Sequence, residues 1–304
     1  MQLTIVICTH NRSALLERTL ASLNRAHRPA NCSADVLVIA NACRDNTATF
    51  LKNYQAQATE NDWLPLIWLE EGIPGKSHAL NRAIPELRSD LVALVDDDHR
   101  VDEDYLTGIC AAAGSYPDAT LYCGRILPDW DGSEPAWVHD TGPYRVYPLP
   151  VPRQDHGDSP QLIGHEGPIP GGGNLFLRRQ VFDRIGGFST ALGPQGHNLG
   201  GGEDTDFVLR ALNAGEQLHY IPDVKQYHYV DPARLRLGYL LKKSFQRSRA
   251  GVQTGQKHGR IPLYMWRKLV EYTFHALYSV QWAKTRFFLV RIAAVLGEMR
   301  AVQG

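Results

Sequence analysis

Residues 3–125 alternate short apolar runs with longer helix-like segments, and no other feature of the 304-residue chain limits its fold as much. A run such as Leu91-Val92-Ala93-Leu94-Val95 has no polar face, so as a strand it must be covered on both sides. Crossover helices supply that cover when strands run parallel. The expected strands are Thr4–Cys8, Val36–Ala40, Leu66–Leu69, Leu91–Val95 and Thr120–Cys123. The expected helices are Ser13–Ala26, with Ser13 as its cap, Asn46–Ala58, Ser77–Leu87 and Glu103–Ser115. This is the pattern of an α/β layered domain. Ligands of such open sheets lodge beyond the carboxyl ends of the strands, so Thr9–Asn11, Asn41–Asp45 and Asp96–Asp98 are expected in one crevice.

From Pro128 to Gly173 the periodicity fails, yet Trp130, Trp137, Tyr144 and Tyr147 argue for an ordered wall or lid rather than disorder. A strand at Asn174–Arg178 and a helix at Gln180–Ile185 should follow. A glycine-rich loop ending in Gly200-Gly201-Gly202, a helix at Asp204–Ala214 and a strand at Gln217–Ile221 come next. The expected division is one domain over 1–230, in halves 1–125 and 126–230, and a helical region over 231–304.

Thirty-two Lys and Arg balance thirty-two Asp and Glu, which argues against a nucleic-acid partner. The balance hides a split. From 231 onward fourteen basic residues face three acidic ones, a surplus of eleven positive charges, and residues 1–230 carry the matching negative surplus. Aromatic residues stud the same basic region, which suits either packing on the body or an interfacial element on anionic lipid. Five cysteines, odd in number and without a CxxC pair, fit neither a disulfide framework nor a zinc ribbon. With no signal-like or spanning segment read from the sequence, a cytoplasmic location is expected.

Three carboxylates, Asp96-Asp97-Asp98, end the apolar run at 91–95. Such concentrated charge is costly unless a cation shares it, and Mg²⁺ or Mn²⁺ is the simplest resident; a solvated acidic turn is the plainer alternative. Gly202-Glu203-Asp204 delivers acid at a helix start, as a plain cap or as a general base. Lys76 stands at the mouth of a helix, where a phosphate would be favoured, but without the P-loop spacing. His228, between Tyr227 and Tyr229, is either a packed side chain or a metal ligand.

The order and spacing of Ile5-Val6-Ile7-Cys8-Thr9-His10-Asn11-Arg12, Val38-Ile39-Ala40-Asn41, Asp96-Asp97-Asp98, Gly171-Gly172-Gly173-Asn174, Gly186-Gly187-Phe188, Gly202-Glu203-Asp204-Thr205-Asp206 and His228 resemble a family 2 glycosyltransferase of the GT-A fold. The resemblance implies a mixed, mostly parallel sheet flanked by helices, and inverting sugar transfer from a nucleoside diphosphate sugar to an acceptor hydroxyl. It also implies roles. Thr9, Asn11, Arg12, Asn41, Lys76, Asp96 and Asp97 would bind the donor, and Asp98 and His228 the Mn²⁺ or Mg²⁺. Asp204, with Glu203 beside it, would be catalytic, and Gly173, Asn174 and Gly202 would meet a saccharide or lipid-linked acceptor. Asn41 stands where the family usually has Asp, so a UDP-sugar is favoured but guanosine and thymidine donors stay open. Synthesis of a cell-surface polysaccharide or glycolipid at the inner membrane face is the expected setting. Two rival readings are a sugar nucleotidyltransferase and a non-catalytic nucleotide-sugar module; the missing glycine in Thr9–Ser13 counts against the first.

Overall fold

The computed structural model describes residues 1–193, 202–253 and 259–303, so Gly200 and Gly201 of the expected glycine-rich loop lie outside the described residues. The chain forms two compact units, Met1–Asp129 with Arg153–Tyr229, and Trp130–Pro152 with Val230–Gly304. Residues 130–152, which sequence reading assigned to the second half of the first domain, thus group with the C-terminal region.

In the first unit, strands β1 (Gln2–Thr9), β2 (Ser33–Asn41), β3 (Leu66–Glu71), β4 (Leu91–Leu94), β5 (His99–Val101), β6 (Leu121–Asp129), β7 (Gln161–Ile163), β8 (Leu175–Arg178) and β9 (Leu218–Tyr229) build one sheet. Its order is β3-β2-β1-β4-β8-β6-β9-β5, with β7 also on β9. The first four strands pair in parallel, β8 runs antiparallel to β4 and β6, and β9 is parallel to β6.

Alternation along β1 shows why the parallel strands are apolar throughout. Leu3, Ile5 and Ile7 join a layer with Leu16, Leu20 and Leu23 of helix α1 (Ser13–Arg25), Leu51 of α2 (Thr47–Ala58) and Ile109 of α4 (Tyr105–Ser115). Val6 points into a second layer with Leu80 of α3 (Lys76–Ala83), Phe182 of α5 (Gln180–Ile185) and Phe207 of α6 (Glu203–Asn213). Each face is covered by helices, as the doubly buried strands require. Ser13 does not cap α1 as expected; it is the first helical residue, and its hydroxyl donates 2.5 Å to Asn46 Oδ1.

Two strands run further than the sequence pattern indicates. β6 and β9 lose register between Gly124 and Arg125, where Gly124 pairs Ile221 but Arg125 pairs Lys225. The irregularity takes up Pro222, whose missing N–H therefore breaks no ladder bond. It also lets β9 continue to Tyr229, where β5 joins it with His99 opposite His228.

The second unit holds α7 (Leu237–Gln253), α8 (Leu263–Leu277) and α9 (Trp282–Gln303). Val138, Val151, Val230 and Leu235 form one small core with Trp130 and Trp137 against it. The Arg286 side chain is 5% exposed; it pairs with Asp140 at 3.3 Å and lies 4.5 Å over the Trp137 ring. A Cβ on Gly297 would collide with the Phe245 carbonyl, so that glycine sets how closely α9 meets α7.

Candidate active site

The carboxyl ends of β1, β2 and β4 open on a cleft of about 340 Å³, lined in part by Thr9, His10, Arg12, Asn41, Lys76, Asp96, Asp97, Asp98, Glu203 and His228. The crevice expected from strand order is therefore present, with α3 and α6 each presenting their first turn to it.

Its acidic floor is organised by two cations, Arg12 and Lys76. Asp97 is buried, and both its oxygens are engaged: Thr9 Oγ1 donates to Oδ2 at 2.8 Å and Arg12 to Oδ1 at 3.1 Å. Burial lifts its pKa to about 6, with Arg12 acting in the opposite direction. Arg12 also reaches Asp98 Oδ2 at 3.2 Å. Lys76 Nζ lies 2.9 Å from Asp96 Oδ1 and 3.5 Å from Asp204 Oδ2, bridging two carboxylates distant in sequence. Burial opposes the charge on both Lys76 and Asp96, but attraction prevails: Asp204 and then Asp96 hold the lysine above its usual range, and Lys76 holds Asp96 well below its own.

Beside this floor, ligand atoms of Asp98, His99 and His228 lie within 4.8 Å of one another. His228 Nδ1 donates 2.6 Å to the Tyr229 carbonyl, which leaves Nε2 with its lone pair 3.7 Å from Asp98. His99 Nδ1 donates 2.5 Å to Gln226 Oε1, so its Nε2 faces Asp98 at 3.9 Å. Burial lowers the His228 pKa and favours the neutral, ligating form. Two imidazole lone pairs and one carboxylate oxygen fit a divalent transition ion, with Mn²⁺ suited better than the harder Mg²⁺.

His99 is the functional candidate that sequence reading missed. Its adjacency to Asp98 was visible, but its approach to His228 depends on the pairing of β5 with β9. Gln226, fully buried, orients it while donating to Tyr105 Oη at 2.8 Å and Asn174 Oδ1 at 3.0 Å.

Other expected residues occupy different stations. Asn41 reaches the cleft, but its Nδ2 donates to the Glu71 and Ile73 carbonyls at 3.3 and 2.7 Å, and Oδ1 accepts from the Gly75 amide at 2.8 Å. It fastens the loop before Lys76, a task that needs an amide and that a carboxylate cannot do. Asn11, at φ 54°, is not part of the cleft lining; its Oδ1 accepts from the Arg44 and Asp45 amides at 2.6 and 3.3 Å. Asn174, expected to meet an acceptor, is instead fully buried and donates to the Arg125 and Val224 carbonyls, both at 3.0 Å. Its amide satisfies the irregular β6–β9 backbone. Gly202 caps α6 at φ 104°, so Asp204 is not the cap.

Gly172 and Gly173 matter for their missing side chains. A Cβ on Gly172 would overlap the Asp204 carboxylate, and one on Gly173 would sit 2.8 Å from Asp96 Oδ2 and from His99 Cε1. The bare backbone lets these groups close together. Glu203 is buried against Asp204, and burial raises its pKa with the Asp204 charge adding to the effect.

The glycosyl transferase family 2 model matches residues 4–186, well over half of the chain. The chain belongs to that family. This glycosyltransferase is 24% identical over 264 residues to succinoglycan biosynthesis protein ExoM of Rhizobium meliloti (strain 1021), covering 86% of its own chain and 75% of that protein. It is 26% identical over 157 residues to a glucosyl-dolichyl phosphate glucuronosyltransferase of Haloferax volcanii, where the match spans 51% of this chain and 48% of the relative. Among solved structures, S. aureus TarS 1-349 aligns at TM-score 0.58 and 17% identity, over 99% of this chain and 90% of that one. The mannosyltransferase PcManGT from Pyrobaculum calidifontis, in complex with GDP-Man and Mn²⁺, aligns at 0.54 and 18%, over 97% and 86%. The transferase thus has the GT-A type of mixed α/β sheet, with a C-terminal helical extension.

Proposed function

We propose that this glycosyltransferase inverts as it moves a sugar from a nucleoside diphosphate sugar, UDP-linked in the first instance, to a hydroxyl of a saccharide or lipid-linked acceptor. The observation that carries the reading is the convergence of Asp98, His99 and His228 beside a carboxylate, Asp204, that Lys76 ties to Asp96. The relatives support the chemistry by class: TarS has been solved with UDP and with UDP-GlcNAc, PcManGT with GDP-Man and Mn²⁺, and ExoM is a protein of polysaccharide synthesis. A cell-surface polysaccharide or glycolipid made at the inner membrane face, by a peripheral cytoplasmic enzyme, follows as the setting.

Asp98, His228 and His99 would hold Mn²⁺ or Mg²⁺, which supplies neutralising charge for the departing diphosphate. Lys76 adds a fixed cation at the donor phosphates, and Asp96 and Asp97 with Thr9 and Arg12 shape the nucleotide side. Asp204 takes the proton from the acceptor hydroxyl as its oxygen bonds the anomeric carbon and the sugar–diphosphate bond breaks. Glu203, buried beside it, helps orient that acceptor. Because the Asn41 amide serves its own loop, the base is read by other lining groups, and uridine, guanosine and thymidine carriers all belong in the test. A thermal-shift screen of their diphosphates and sugars, with and without Mn²⁺, should show Mn²⁺-dependent stabilisation by one class. Stabilisation by none of them would overturn the reading.

A further inference from the structure

Helix α8 is apolar on two faces, and among the described residues only one is covered. Met265, Leu269 and Tyr272 pack with Val295, Met299 and Val302 of α9. Leu263, Trp266, Val270, Phe274 and Leu277 follow one another at spacings of three and four, a stripe spanning about 80° of the helix at 100° per residue. They are between 48% and 86% exposed, and Tyr278, Val280 and Trp282 prolong the exposed apolar surface beyond the helix end. Water alone gives no reason to keep such a row.

We propose that this outward face of α8 docks on an anionic lipid bilayer, the helix lying in the plane of the surface with its stripe among the headgroups and upper acyl chains. The proposal deepens the membrane setting given above by assigning it a face. Charge selects the occupant. Residues 231–304 carry a surplus of eleven positive charges, with Arg267 exposed beside the stripe and Arg260 exposed ahead of the helix. Two copies meeting through this face would bring like charges together, whereas lipid phosphates neutralise them. Trp and Tyr rings, apolar with one polar tip, suit the headgroup boundary. No helix among the described residues is long and apolar enough to cross a membrane.

The test uses the full chain in flotation with vesicles of phosphatidylcholine alone or with about 30% phosphatidylglycerol. Binding should be at least about tenfold stronger to the anionic vesicles, weaken as salt rises, and fall at least about tenfold in Val270→Ser/Phe274→Ser. Brominated lipids should quench Trp266 fluorescence in the wild-type protein, read as the component lost in Trp266→Phe. Equal flotation of wild type and double variant, or equal binding to both vesicle types, overturns the proposal. So does sedimentation showing a wild-type dimer that the double variant abolishes while vesicles bind neither form. Donor-dependent thermal shifts on the same samples separate the two readings: a normal shift without vesicle binding removes only the lipid face, and vesicle binding without a shift removes only the donor assignment.

Discussion

His99 and His228 are register partners on neighbouring antiparallel strands, their ring centroids 5.0 Å apart, and each presents Nε2 to the carboxylate of Asp98. This geometry makes His99 a third ligand candidate. His99→Ala and His228→Ala should each weaken Mn²⁺-supported donor binding at least about tenfold in calorimetry. EDTA should abolish the same signal in the wild-type protein. A His99→Ala protein with wild-type Mn²⁺ affinity would remove His99 from the site.

Gln226 fixes the His99 tautomer from inside the core. Gln226→Leu leaves His99 Nδ1, Tyr105 and Asn174 each short of a partner, so about 1–3 kcal/mol of stability should be lost for each buried group left unsatisfied. Metal affinity should fall about tenfold beyond what altered folding explains. Denaturant melts and Mn²⁺ titration of the folded variant read the two effects separately.

Asp204→Asn keeps the shape over Gly172 but removes the carboxylate proposed to accept the proton. Turnover should drop about 10²- to 10⁴-fold with donor affinity little changed, since Lys76 keeps Asp96 as its nearer partner. Sugar-transfer rates beside donor titration decide it; near-normal turnover would exclude Asp204 as the base.

Gly172→Ala tests the same carboxylate from the backbone side. Its methyl group occupies the space of the Asp204 carboxylate, which must move. A displacement of about 1 Å can cost about 100-fold in rate, so turnover should collapse while the helix and sheet signals persist by circular dichroism. Unchanged kinetics would mean that the position of Asp204 is immaterial.

Asn41→Asp restores the residue usual in the family but should not improve uridine recognition. It replaces the two N–H donors facing the Glu71 and Ile73 carbonyls with an acceptor, a loss of about 1–3 kcal/mol for each unsatisfied group. A lower melting temperature and weaker UDP binding are expected, because the loop that carries Lys76 loosens. Tighter UDP binding at unchanged stability would refute this account of Asn41.

The parallel half of the sheet was legible because its strands are buried on both faces and its helices on one, and those demands write themselves into unbroken apolar runs and a period of about 3.6 residues. Asp98 stood out for a comparable reason, since an acidic triplet at the end of an apolar strand is a local anomaly. β5 and the outer half of β9 carry no such mark. His99–Val101 is three residues long and Pro222 reads as a terminator, and only pairing with neighbours makes strands of them. Asn174 illustrates the same limit: its type suggested a ligand contact, but the carbonyls it serves exist only once the irregular β6–β9 pairing has formed.

Residues close together in the chain suffice to set the α/β layering, the acidic strand end and the basic, aromatic character of the last seventy-four residues. Tertiary structure alone decided that Lys76 joins Asp96 to Asp204, that His99 meets His228, that 130–152 packs with the C-terminal helices, and which face of α8 stays open. These are relations between segments far apart in sequence, fixed by strand register and helix packing, and no local pattern of side chains encodes them.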